Sequence, residues 1–363
     1  MRINVHDFER EAEERLPRPV FDYYQGGARD EITLRGNRSA FDAIRIDYRV
    51  LRGVGRRETH ATLLGADVGV PIGVAPMALQ RMAHADGEAA TARATAAAGA
   101  LMVVSTMSTL SLEEVAAASS GPTWFQLYVY RDRSVTESLV RRAEAAGYQA
   151  LVLTVDTPWV GVRERDVRNA FGMPPGMQFA NFVSVGLEDM GHGGRGSHLA
   201  RYSDAQFDPD LTWDDVTWLQ SITSLPVVVK GVVHPDDARL AVEAGARGLV
   251  VSNHGARQLD TSPPAIEALP RVVEAVEGRA EVYVDGGIRR GTDIVKALAL
   301  GAHAVWVGRP VLWGLAVDGE AGVHEVLSLL RSELEDAMGL SGFRTLEEIR
   351  TLGPASVRFG PAY

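Results

Sequence analysis

The residues with the clearest chemical potential stand together in one run, Ser252-Asn253-His254-Gly255-Ala256-Arg257-Gln258. It follows an apolar, β-branched stretch (248–251), so a buried strand ending here would present a histidine and, three residues on, an arginine at its C-terminal tip. Histidine is the side chain whose ordinary pKa lies nearest neutrality. Arginine carries a planar fork that grips a carboxylate through two bonds. The pairing suits removal of a proton or hydride equivalent from a small carboxylate-bearing molecule.

Other apolar runs end in the same way. One ends Ala75-Pro76-Met77-Ala78, and another carries Gln126 and Tyr128, two positions apart and therefore on one face of a strand. Thr154 and Asp156 share a face in the same sense, and further runs end in Lys230, in Ser252 and His254, in Asp285-Gly286-Gly287-Ile288-Arg289 and in Gly308-Arg309. One polar strand end is an ordinary satisfied core contact. Seven converging on one mouth imply a polar ligand and chemistry. Gly286-Gly287 with Arg289 is by itself a weak signal, since a tight turn explains it equally well. With Gly308-Arg309 beside it, it reads as a phosphate site.

Positioning these ends requires a regular frame. Apolar runs rich in Val, Ile and Leu fall at 72–76, 101–105, 124–129, 150–155, 226–230, 248–252, 282–285 and 304–308. Helical patterns lie between them at 87–98, 112–118, 135–146, 235–244, 265–276 and 292–300, several stopped by a glycine (Gly99, Gly147, Gly245, Gly301). Runs apolar on both faces are those of a parallel sheet covered on both sides. Eight such repeats predict an α/β protein built as a closed (β/α)8 barrel, with a doubly wound sheet as the alternative. Residues 1–70 read as an N-terminal cap with a helix near 6–15, and the barrel as 71–313. The stretch 159–210, rich in Gly and Pro, reads as a mobile, partly disordered lid, and 314–363 as one long helix beyond Leu315 plus a tail. The whole chain is taken as one domain.

Composition excludes several classes. With 46% apolar and 23% charged residues over 363 positions, this is a soluble globular composition with a sizeable core. No run approaches a membrane span and the N-terminus lacks a signal-peptide core, so a cytoplasmic protein without a membrane partner is expected. There is no Cys, which removes disulfides and thiolate metal sites, and a net charge of −10 argues against nucleic acid. Lys230 and Lys296 are the only lysines among 37 basic residues, a bias of base composition that makes a lysine inside a strand worth weighing. His6, His60, His192, His198, His234, His303 and His324 show no paired carboxylate at metal-ligand spacing, and no metal is expected. His84, near the mouth, is a candidate for a supporting role.

These motifs resemble the FMN-dependent α-hydroxy-acid oxidase and dehydrogenase family, that of glycolate oxidase, lactate oxidase and mandelate dehydrogenase. The resemblance runs through the chain, in Tyr23-Tyr24, Phe125–Tyr130, Leu153–Pro158, Val229-Lys230-Gly231, Ser252–Gln258 and Asp285–Gly291. It implies FMN, with Pro76, Met77, Ala78, Ser105, Gln126 and Thr154 around the ring and Lys230 near its N1–C2 side, beside Ser252. It further implies Asp285, Gly286, Gly287, Arg289, Gly308 and Arg309 at the ribityl and phosphate. Arg257 and Arg163, helped by Tyr23, would clamp the substrate carboxylate. Tyr128 would hydrogen-bond the α-oxygen, His254 would be the base, and Asp156 would orient it.

Substrate size is read from positions that vary. Met107 stands where glycolate oxidases carry a Trp, which should enlarge the pocket, with Leu79 and Val160 flanking and Phe171 lining it. An aryl acid, (S)-mandelate or 4-hydroxymandelate, is therefore expected over lactate or glycolate, although Met107 could equally repack against the lid. The whole-chain likeness is strongest to 4-hydroxymandelate-oxidising members of antibiotic biosynthesis. Ala78, where dehydrogenases tend to carry Gly, favours O2 as acceptor and hydrogen peroxide as product. The family habit implies a homotetramer. A flavin isomerase would not need two arginines and a tyrosine around His254, and a non-catalytic phosphate-ligand binder would leave His254, Asp156 and Arg257 without purpose.

Overall fold

The computed structural model describes residues 1–190 and 197–360. Eight parallel strands form a closed barrel: β1 (Ile72–Val74), β2 (Leu101–Val104), β3 (Thr123–Leu127), β4 (Leu151–Thr154), β5 (Val227–Val232), β6 (Gly248–Val251), β7 (Glu281–Asp285) and β8 (Ala304–Val307). β8 closes on β1 with Val305 opposite Ile72. The (β/α)8 expectation holds because each apolar run is buried on both faces, which only a sheet covered by an outer ring of helices allows.

The barrel interior is filled at the bottom and open at the top. Trp124, Tyr283 and Trp306 meet there, with ring centroids 5.6 to 6.1 Å apart. Gly73 faces Trp306 and Gly248 faces Tyr283, so small residues make room for large ones in the same layer. A short hairpin, Ala61–Leu63 with Ala66–Val68, covers the N-terminal end, where the Leu64 N–H donates to Glu281 at the start of β7. With the hairpin over the N-terminal end, the C-terminal mouth is where a ligand is expected in this fold.

The expected strands are all present, but several end sooner. β3 stops at Leu127, so Tyr128 lies just past the strand, although it lines the same mouth as Gln126. The last helix also differs from expectation. It runs Arg309–Ser341, starting at the end of β8 rather than beyond Leu315, and is broken at Asp318 and Gly319, whose backbones are not helical. Pro310 lies in its first turn, a favoured place for proline that an apolar pattern alone does not reveal.

The cap contains the helices Val5–Arg15, Arg18–Gln25 and Ile32–Ala43. The first starts at Asn4, whose side chain accepts from the His6 and Asp7 N–H groups. The segment after β4 is not plain loop: it contains the helices Glu164–Arg168 and His198–Gln206 and a 3-10 turn Ala180–Val185. Its glycine run, 191–196, lies outside the described residues. No helix among the described residues is long and apolar enough to cross a membrane.

Candidate active site

The loop after β6 makes a left-handed turn at three successive residues, His254, Gly255 and Ala256, with φ between 57° and 65°. Each non-glycine residue in this conformation costs roughly 1–2 kcal/mol, so the surroundings must hold it. Ser252 Oγ accepts from the His254 N–H at 3.0 Å, and Asn253 Oδ1 accepts from the Ala256 N–H at 3.0 Å. Asn253 also exchanges amide hydrogen bonds with Asn37 of the cap at 2.8 and 2.9 Å. The turn aims the imidazole across the mouth at Asp156, with Nδ1 2.8 Å from Oδ1. Burial alone would raise the Asp156 carboxyl, but His254 and then Lys230 hold it below the usual carboxylate range. It therefore remains an anion, and Nε2 is the ring nitrogen left to accept a proton.

Two arginines, Arg163 buried and Arg257 half-buried, stand beside this pair. Arg257 Nη1 donates to the Tyr23 and Gly26 carbonyls at 2.6 and 3.0 Å, and the Arg163 side chain is only 7% exposed. Both guanidinium groups lie over the Tyr23 ring, at 5.0 Å for Arg257 and 5.8 Å for Arg163. Burial, and then the charge of Arg163, push Arg257 down to about 10. Two guanidinium groups set this close together gain from an arriving anion. Tyr128 stacks on Phe207 with centroids 4.5 Å apart, and burial followed by the nearby Asp156 charge pushes its phenol up. It is thus a hydrogen-bond donor at any working pH.

Below them a cleft runs across the barrel mouth, the usual ligand end of this fold. Of the residues expected to bind cofactor, bind the substrate carboxylate or take part in the chemistry, all line it except Asp156 and Ser252, which stand behind His254 and Lys230. On its floor Lys230 Nζ lies 2.9 Å from Asp285 and 2.8 Å from Ser252 Oγ. Gln126 Nε2, Thr154 Oγ1 and Asp285 Oδ1 are buried there without a hydrogen-bond partner. At the far end Gly286 and Gly287 have φ near 88°, and burial pushes Arg289 down to about 10.

Two expectations are corrected, those on the residues that set substrate size and on His84. Of the residues assigned to substrate size, Val160 lines the cleft, but Leu79 and Phe171 do not. Leu79 has φ +60°, is fully buried, and gives its carbonyl to Tyr24 Oη; Phe171 stacks behind Tyr23 at 4.2 Å. Arg309 lines the cleft, but its Nε and Nη2 are engaged by the carbonyls of Tyr24, Gly26 and Gly255, tying the cap to the His254 turn. His84 packs at the Gly319 break, away from the cleft. Sequence reasoning missed Thr157, whose hydroxyl donates to Asp156 at 3.1 Å, and the lid residues Leu199, Ser203 and Phe207 on the wall. It also missed Gln258, which donates to the Asp156 and Trp159 carbonyls.

The model of the FMN-dependent dehydrogenase family matches residues 12–353. The chain belongs to that family. It is 54% identical over 346 residues to glycolate oxidase 3 of Arabidopsis thaliana, covering 95% of this chain and 94% of that one. It is 52% identical to the L-lactate oxidase of Nostoc sp., covering 96% and 97%. Among solved structures, a mandelate oxidase with (S)-4-hydroxymandelic acid superposes with a TM-score of 0.93 at 44% identity, over 99% of both chains.

FMN is accordingly the cofactor, and the cleft fits it on its own terms. The orphaned amide, hydroxyl and carboxylate atoms on the floor are what a flavin ring edge and ribityl hydroxyls would satisfy. The half-buried Arg289 beside two bare glycines is what a phosphate would satisfy.

One glycine controls the catalytic pair. Between Lys230 and Val232 the pairing of β5 with β6 shifts register, and Gly231 there has φ +110°. A Cβ at Gly231 would sit 2.6 Å from Asp156 Cβ and Cγ. Gly231→Ala is therefore expected to push Asp156 off His254 and lower turnover about 100-fold, since orienting groups act on this scale. The bound-FMN spectrum, measured beside turnover, should be unchanged; an active variant would show that the contact is dispensable.

Proposed function

We propose that this enzyme oxidises (S)-2-hydroxy acids to 2-oxo acids and passes the electrons to O2, giving hydrogen peroxide. The observation that carries the reading is the His254–Asp156 pair, 2.8 Å apart, facing two arginines across one cleft. When bound, FMN supplies the two-electron acceptor. Arg257 and Arg163 take the substrate carboxylate in a charge-assisted grip and fix the orientation of C2. The Tyr128 phenol donates to the α-oxygen, and His254 Nε2 removes a proton. Asp156, held ionised, stabilises the imidazolium that results. Lys230 offsets the negative charge that reduction adds at the ring, while Gln126, Thr154 and Ser105 hold its edge. Arg289 and Gly286-Gly287 hold the phosphate, with Arg309 close by.

The preferred substrate in this reading is an aryl acid, mandelate or 4-hydroxymandelate. Met107 and Val160 line the cleft with Leu199 and Phe207, an apolar wall for a bulky group on C2. Ala78 beside them supports O2 as acceptor. A second reading, an oxidase of small acids, is favoured by the 54% and 52% identity to a glycolate oxidase and an L-lactate oxidase.

Anaerobic mixing of the yellow protein with S-mandelate, 4-hydroxymandelate, L-lactate and glycolate separates them. Fastest bleaching by the aryl acids, with colour returning in air as peroxide forms, is the expected result. Bleaching only by the small acids would sink the apolar-wall argument and leave the second reading. No bleaching by any would remove the hydroxy-acid assignment.

A further inference from the structure

The chemistry above leaves one buried carboxylate unused. Asp166 lies on the helix Glu164–Arg168, just past Arg163, and is 1% exposed. Neither of its oxygens accepts a hydrogen bond among the described residues. Its contact is ionic: Oδ2 lies 3.4 Å from Arg163 Nε. A carboxylate buried in this way is costly unless nearby charge compensates it.

The groups that face it are few. Arg163 and Arg257 attract it, and Asp22 repels it; burial, the largest influence, pushes the carboxyl up. Asp22 is itself balanced by Arg18, Arg165 and Asn169. The uncompensated charge in this corner is therefore two arginines against one aspartate. The backbone adds a link, because the Asp166 carbonyl accepts from the Phe171 N–H at 2.8 Å, and Phe171 stacks on Tyr23.

We propose that Asp166 is a positioning residue that sets the charge of the carboxylate pocket. It holds Arg163 at the cleft wall and cancels one of two positive charges, so that the pocket presents a single net positive charge. A pocket of that charge accepts a monocarboxylate and discriminates against a dicarboxylate of the same shape. The inference rests on the reading that Arg163 and Arg257 take the substrate carboxylate.

Oxalate and oxamate test it, since they match in size and differ by one charge. Their affinities for the oxidised holoenzyme are measured by calorimetry and by the flavin absorbance change. Asp166→Asn is expected to raise the oxalate-to-oxamate affinity ratio about ten-fold, the scale of one unit charge at short range in a partly buried site. Asp166→Ser, neutral and smaller, is expected to shift it in the same direction. Asp166→Glu, which keeps the charge, is expected to leave the ratio unchanged even where it weakens both ligands. A merely structural role would lower both affinities together without moving the ratio, and an unchanged ratio in either neutral variant overturns the proposal. Failure of the underlying reading is separate: it would appear as Arg163→Leu binding both ligands as tightly as the unaltered enzyme.

Discussion

Replacing His254 with Asn is expected to slow flavin reduction by substrate about 1,000- to 10,000-fold, the range of a positioned general base, while FMN stays bound. The variant isolates the proton transfer. Asn is among the residues that best tolerate the left-handed backbone found at this position, so the turn built by Ser252 and Asn253 has no new strain to absorb. Its side-chain amide can still donate to Asp156, which keeps that carboxylate from becoming a buried charge without a partner. The arginine pair is untouched, so substrate affinity should change little. What is lost is a nitrogen able to accept a proton. Stopped-flow bleaching under anaerobic conditions gives the rate, and the flavin band of the purified variant gives the occupancy. Reduction at the normal rate would remove His254 as the base and leave the proton transfer without an assigned residue. Loss of the flavin band instead would mean that the turn, rather than the imidazole, is what the cleft requires.

The site is legible in the sequence where chemistry and chain order coincide. Polar residues that interrupt apolar runs stand out locally, which is why His254, Arg257, Lys230 and the Asp285–Arg289 segment can be placed at the mouth from residue order alone, and why eight apolar runs suffice for the barrel. Contacts between distant segments are not legible. Asn37 and Asn253 are 216 positions apart and lock together only after the cap folds over the mouth. Arg309 lines the cleft as its place after Gly308 suggests, but its contacts with the Tyr24 and Gly26 carbonyls exist only once the cap has folded. Leu79 misleads for a different reason: it is fully buried off the cleft in a left-handed backbone conformation, and no local pattern marks a leucine in that conformation. Tyr128 belongs to the mouth as its position in the run suggests, although it lies just past the end of the strand.

Lys230→Met is expected to change both stability and cofactor binding. The ammonium is 2.9 Å from Asp285, and the two side chains are 5% and 8% exposed. Asp285 Oδ1 has no hydrogen-bond partner among the described residues, so removing the lysine leaves a buried carboxylate facing nothing. Breaking one side of a buried pair costs about 3–5 kcal/mol, a large share of the roughly 5–15 kcal/mol that holds a folded domain together. Urea unfolding of the FMN-free protein should register that loss. The double variant Lys230→Met with Asp285→Asn should recover most of it, because it removes the orphaned charge along with its partner, and the cycle reads the coupling directly. Flavin chemistry should not recover in step. Lys230 is the cation nearest the floor atoms that fit the flavin ring, so the double variant, though stable, is expected to bind FMN more weakly and to lower the flavin's reduction potential. If it regained stability, FMN affinity and potential together, the lysine would be a structural counter-ion to Asp285 and nothing more. A stable protein with a depressed potential would instead assign its charge to the reduced cofactor, and would account for a lysine at this strand end in a chain that uses arginine for nearly every other cation.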